Sequence, residues 1–277
     1  MTCVQREPLL RLMDYSASYQ TKKQPFAAVQ GVGLHIAHNE AYALVGESGS
    51  GKTTLALSPF GLIRGVRARG RALFEGRDLL APGAARALWG RDVGVAYQNA
   101  YAVFDPVYTI GQQIGEALKA MNPSAGRGDI AALLDAVGLA ASTAKLYPHE
   151  LSGGMLQRAQ LAVALCGEPK LLIADEPTSA LDVTVQRQII DLLNGLRRQR
   201  ALSLLIITHD LAVVAAVAQR VGVMHEGQIV ETGAVSDLMR HPQHAYTKML
   251  LSSARRLRGY DELATGRQPD RRLQPGA

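Results

Sequence analysis

Four short runs of this chain are almost wholly apolar: Ala41–Val45, Val93–Tyr97, Leu171–Ala174 and Leu204–Ile207. Runs of this length and character suit strands buried on both faces of a parallel sheet. Around them the apolar positions fall at helical spacing, from Thr54 onward and again from about Val183 to Gln199. Strand and helix alternate, which predicts an α/β fold around a parallel sheet. Leu9 to Ile36 reads as short strands and turns, and Arg71 to Gln98 returns to strand-like patterning. From about Tyr108 to Cys166 the chain is Ala- and Leu-rich at helical spacing, broken at Asn122–Gly126 and Tyr147-Pro148. This predicts a helical insertion over 108–166 within one domain spanning 1–254. After Gly259 the pattern is lost among Arg, Asp, Gln, Pro and Gly, so 255–277 reads as a mobile Arg-rich tail.

Ligands of such sheets bind beyond the carboxyl ends of the strands. Gly46, Asp175 and His209 each follow one of the apolar runs, so one site could collect all three. The first run leads into Gly46-Glu47-Ser48-Gly49-Ser50-Gly51-Lys52-Thr53, which fits the phosphate-binding pattern G-x-x-x-x-G-K-[ST] in its strand–loop–helix context. Glycines let successive backbone N–H groups turn inward toward phosphate oxygens. Lys52 can reach the outer phosphates, and the Thr53 hydroxyl can sit on Mg²⁺. Asp175-Glu176 closes the third run. There Asp175 can hold Mg²⁺, and Glu176 can polarise an attacking water.

Length and composition permit this reading and exclude others. At 277 residues and 47% hydrophobic content the chain can bury a substantial core. No window approaches the roughly 20 apolar residues of a membrane span. The first residues show no signal-peptide core. The two cysteines, Cys3 and Cys166, lack metal-like spacing and suit a reducing compartment. The net charge of +6 owes much to arginines after Arg255, and no Lys/Arg stripe interleaved with aromatics argues for nucleic acid.

Leu151-Ser152-Gly153-Gly154-Met155-Leu156-Gln157-Arg158 adds a second anion site. Ser152 is a good N-cap, and the two glycines leave amides bare at a helix start. The loop at Gly46 already has its own helix, so this one would serve the nucleotide of another subunit. With Gln98 and Ser179-Ala180-Leu181-Asp182, these motifs stand in the order found in the ATP-binding subunits of ABC transporters. The resemblance runs from Gly46 to His209, with flanking similarity to about Leu251.

The resemblance implies a P-loop NTPase core, an N-terminal antiparallel β subdomain and an inserted α-helical subdomain. It implies ATP and Mg²⁺ as ligands, with Gly46–Thr54 on the phosphates and Thr53, Gln98 and Asp175 at the metal. Tyr19, with Tyr15 as rival, would stack on adenine. Glu176, His209 and Gln98 form the implied catalytic set: Glu176 would polarise the attacking water, His209 would contact the γ-phosphate, and Gln98 would touch Mg²⁺ or water and sense the membrane partner. Ser152, Gly153 and Gly154 would clamp the nucleotide of the facing subunit, and Asp182 would lie at the dimer interface. Met155 departs from the family, which carries Gln there.

The Gly-Met-x-Gln-Arg form, the Phe104–Gly111 segment and His241-Pro242-Gln243-His244-Ala245-Tyr246-Thr247 are similar to peptide and nickel importers. The implied assembly pairs this subunit with an identical or paralogous ATPase, two permeases and a solute-binding protein, at the cytoplasmic face of a bacterial inner membrane. With no cysteine after Cys166, an iron–sulfur cluster is not expected, which tilts the solute toward nickel, a metal chelate or short peptides. The ATPase subunits of carbon–phosphorus lyase systems share the Gly-Met-x-Gln-Arg form and the His-Pro-x-His ending and supply the non-transport alternative.

Overall fold

The computed structural model of the protein describes residues 7–20, 24–179 and 181–258. The chain starts with two long strands, β1 (Leu10–Tyr19) and β2 (Phe26–Ile36), where the pattern predicted short ones. The cause is local. Their antiparallel pairing slips in register at three places between Leu12 and Ser18, and Asp14 takes a positive φ of 49°. Each slip shifts the in–out alternation, so one strand reads as fragments. Strand β1 also pairs with β4 (Val66–Phe74), and β4 with the two-residue β5 (Arg77–Asp78), giving a four-stranded antiparallel sheet.

The second sheet has six strands. It comprises β3 (Ala41–Val45), β6 (Val93–Ala96), β7 (Leu171–Asp175), β8 (Ser203–Ile207), β9 (Arg220–His225) and β10 (Gln228–Ala234), in the spatial order β10-β9-β3-β8-β7-β6. All neighbours are parallel except β10, which returns antiparallel beside β9. The apolar runs are explained by burial on both faces. Ala41, Ala43 and Val45 point to one core while Tyr42 and Leu44 point to the other, and Leu204 to Ile207 divide in the same way.

One core lies between the sheets and encloses the short helix α1 (Lys52–Leu57), with Tyr15, Phe60 and Phe74 fully buried there. Pro59 sits in the 3-10 turn that follows α1, where a continued helix would lose a hydrogen bond. The other core is covered by helices. Helix α2 (Ile110–Met121) opens with a reciprocal Thr109–Gln112 capping box and buries Ile110, Ile114 and Leu118. Next come α3 (Arg127–Ala136), α4 (Gly153–Ala164), α5 (Val183–Arg200) and α6 (Leu211–Val217). Leu134, Leu156, Ile189 and Val214 join the sheet in a single cluster, so the helical stretch shares the sheet's core.

Two further helices, α7 (Val235–Arg240) and α8 (Ala245–Arg258), close the described chain. Helix α8 continues past residue 254, where the sequence pattern placed the end of the domain. Residues 259–277 of the expected tail lie outside the described residues, as does Cys3. Among the described residues no helix is long and apolar enough to cross a membrane.

Candidate functional site

The parallel strands end on one side of the sheet, and their loops build a cleft of about 320 Å³. Its walls include Ser48, Gly49, Gly51, Lys52, Thr53 and Thr54 after β3, Gln98 after β6, and Asp175 and Glu176 at the end of β7. The volume lies in the range of small-molecule sites. The loop after β3 needs its glycines. Gly46, Gly49 and Gly51 have φ of 153°, 80° and 101°, and a Cβ on Gly51 would collide with the carbonyl oxygen of Ala28. Gly51→Ala is therefore expected to cost about 1–3 kcal/mol of stability through left-handed strain alone, read as a lower urea midpoint.

Lys52 is buried and folded back on its own loop. Its Nζ donates to the carbonyls of Gly46 at 2.9 Å and Glu47 at 2.7 Å, and to Ser50 Oγ at 3.4 Å. Burial pulls its pKa below the ordinary lysine value, against the upward pull of the Glu176, Asp175 and Glu47 carboxylates. Thr53 Oγ1 donates to Asp175 Oδ2 at 2.9 Å. Burial pushes the Asp175 carboxyl above its usual range, opposed by that hydrogen bond. A hydroxyl and a carboxylate facing each other beside a phosphate-sized cradle make a donor set that fits Mg²⁺ held jointly with phosphate oxygens.

Glu176 stands at the centre of a second contact set. Gln98 Nε2 donates to its Oε2 at 2.9 Å, and His209 Nδ1 lies 3.2 Å from its Oε1. The residue itself takes a positive φ of 46°, while its N–H continues the ladder to Ile207 at 2.8 Å. A non-glycine residue in that region signals strain held in place by its surroundings. The arrangement leaves a carboxylate at the cleft with both oxygens oriented, able to accept a proton from a water in front of it.

At the open end Tyr19 shares a hydrogen bond with Thr54 Oγ1 at 3.0 Å. Its rival Tyr15 is excluded from the cleft, being fully buried and bonded to Ser58 Oγ at 2.8 Å. The sequence reading missed Phe26, which pairs with Tyr19 across β1 and β2, lines the same cleft and is 60% exposed. A large apolar residue beside a suspected ligand face was the signal available for it. Gly46, Glu47 and Ser50 form the back of the loop rather than its lining, and a Cβ on Gly46 would strike the Met224 carbonyl.

Ser152, Gly153, Gly154 and Asp182 do not line this cleft. Ser152 Oγ caps α4 by accepting the Met155 N–H at 3.3 Å, and Asp182 Oδ1 caps α5 by accepting the Val185 N–H at 3.0 Å. The two helix starts abut, since Gly154 lies against the Val185 side chain and Gly153 near Leu181. Met155 packs partly buried against the helical core. Arg158 spans Val137 O and Gln188 Oε1 at 3.0 Å each, so it braces the helices.

Residues 29–179 match the family model described as ABC transporter. A dipeptide transport ATP-binding protein of Haemophilus influenzae is 45% identical over 254 residues, covering 88% of this chain and 77% of that protein. One of Bacillus subtilis is 42% identical, covering 91% and 78%. Among solved structures, a dimeric post-hydrolysis ATP-binding cassette with ADP and Pi aligns with TM-score 0.73 at 24% identity, over 82% of this chain and 98% of that one. The cbiO1 protein of Clostridium perfringens, part of an ABC transporter complex, aligns with the same TM-score and identity over 91% and 96%.

Proposed function

This chain belongs to the ABC transporter family, and from that premise we propose that it is the ATP-hydrolysing motor subunit of a peptide importer, acting in a head-to-tail pair. The observation that carries the proposal is the Glu176 carboxylate, held by Gln98 and beside His209 at the mouth of the Lys52–Thr53–Asp175 cradle. The names of the relatives favour a peptide solute over nickel or a metal chelate.

In this reading Lys52 exchanges its two loop carbonyls for the outer phosphate oxygens of ATP. Thr53 and Asp175 would hold Mg²⁺, with Gln98 reaching toward it, and the cation supplies charge that offsets the phosphates. Glu176 orients the attacking water and takes its proton, while His209 steadies the carboxylate and meets the γ-phosphate. Tyr19, with Phe26 beside it, offers a ring to the adenine. Ser152, Gly153 and Gly154 turn their bare amides to the nucleotide of the second subunit, and the Asp182 turn lies at the same junction. Closure on ATP and reopening after hydrolysis supply the stroke.

The stroke leaves through the stretch after Gln98. Tyr101, Val107 and Tyr108 are 57%, 72% and 47% exposed there, an apolar surface suited to a permease helix at the cytoplasmic face of the membrane. A solute-binding protein completes the importer. Affinity purification of the full chain from its host in mild detergent, with mass spectrometry, tests the reading. Two hydrophobic permeases and a second ATPase are the expected companions. Soluble enzyme subunits without a membrane protein would overturn transport in favour of the carbon–phosphorus lyase alternative.

A further inference from the structure

We propose that Tyr246 is a positioning residue of the nucleotide loop, and that His241–Thr247 forms a strut behind that loop. The Glu47 N–H donates to the Tyr246 hydroxyl at 3.1 Å, across 199 residues of sequence. Tyr246 is buried, and its ring stacks on His225 with centroids 3.9 Å apart and planes at 24°. His225 ends β9 and follows Met224, the residue whose carbonyl backs Gly46.

The segment is fixed from its other end as well. Glu231 on β10 accepts the Gln243 N–H at 2.8 Å with one carboxylate oxygen and the His244 N–H at 3.0 Å with the other. His244 Nδ1 then accepts the Tyr246 N–H at 3.2 Å. The phenol is thus located by its ring on one strand and by its backbone on the next. Burial raises its pKa above the ordinary tyrosine value, so the hydroxyl stays neutral in the physiological range.

The Glu47 residue is held on both sides, its N–H by Tyr246 and its carbonyl by Lys52. Lys52 Nζ has three N–H donors and spends them on three loop acceptors, Gly46 O, Glu47 O and Ser50 Oγ, so a phosphate oxygen displaces at least one of these ties. Where the displaced tie is the Glu47 carbonyl, the Ser50 N–H still reaches that carbonyl at 3.2 Å, and Tyr246 is, among the described residues, the remaining side-chain tie on Glu47. It keeps the first turn of the loop in the shape that presents the amides further along. Loss of the tie weakens the hold on the first turn, most of all as Lys52 shifts toward the nucleotide, and part of the binding free energy then goes into selecting the competent loop shape.

The test uses Tyr246→Phe in the full chain, which keeps the ring stack and removes one oxygen. The dissociation constant of a fluorescent ATP analogue and the KM for ATP are expected to rise about three- to tenfold, the worth of one net hydrogen bond, with kcat little changed. Glu231→Gln, which can accept only one of the two N–H groups on its carbonyl, should shift KM in the same direction by less, with the melting temperature of both variants near the parent. An unchanged KM in Tyr246→Phe overturns the proposal. So does a fall in kcat at constant KM, or a rise in KM that appears only with a lowered melting temperature. The inference rests on the Gly46–Thr53 loop being the nucleotide site. Failure of the parent to bind the analogue would sink that reading, whereas parent binding with an indifferent Tyr246→Phe sinks the strut alone.

Discussion

Glu176→Gln is expected to bind ATP at least as well as the parent and to hydrolyse it about 10²- to 10⁴-fold more slowly, the range general base catalysis supplies. The substitution keeps shape. Gln98 still finds a carbonyl oxygen where it now donates to Oε2 at 2.9 Å, so the local geometry survives. What disappears is the proton acceptor, together with one negative charge beside the phosphates. Removing that charge relieves repulsion against the nucleotide, which is why binding should hold or improve. Hydrolysis that no longer keeps pace with closure leaves the closed pair populated, so gel filtration with ATP should show a dimer. Turnover at the parent rate would mean that another group accepts the proton.

The second large effect belongs to Ser152→Arg. The hydroxyl caps α4 through the Met155 N–H, and losing a cap costs about 1 kcal/mol, well within what the buried face of that helix can carry. The cleft that holds Lys52, Thr53, Asp175 and Glu176 does not include Ser152, so ATP should bind as before. Hydrolysis by the pair should drop by about 10²-fold or more, since donors aimed at developing charge are worth that much in a closed site. Nucleotide titration and steady-state turnover on the same preparation separate the two effects. Loss of binding would place Ser152 in its own subunit's site or in folding.

These residues could be read from the sequence for a physical reason. Strands β3, β7 and β8 are buried on both faces, so each carries a run of four or five apolar residues that ends where polar chemistry begins. Ser152 and Asp182 are helix caps, which a sequence announces by residue type. Glycines at 46, 49 and 51 announce backbone that other residues cannot adopt. Strands β1 and β2 were seen only as fragments because bulges near Asp14 break the alternation. The short α1 was legible at its start, while its end depends on Pro59 and on the core between the sheets. Phe26 and Tyr246 were not legible as parts of the loop's surroundings. One reaches the cleft through strand pairing with Tyr19, and the other meets Glu47 from far along the chain, and neither carries a local pattern that says so.

The order of strands in the second sheet also sets a schedule for the ribosome. Strand β3, which launches the nucleotide loop, lies between β8 and β9 in the sheet. Roughly 160 residues separate Val45 from Leu204 on β8, a gap that takes on the order of ten to thirty seconds to synthesise. For that interval an all-apolar strand stands with both edges unpaired in the nascent chain. The antiparallel sheet, complete by Asp78, can form long before. The loop is therefore among the first motifs translated, while the strand that launches it finds its native partners only when the final third of the protein arrives, and until then its unpaired edges are open to pairing with other chains.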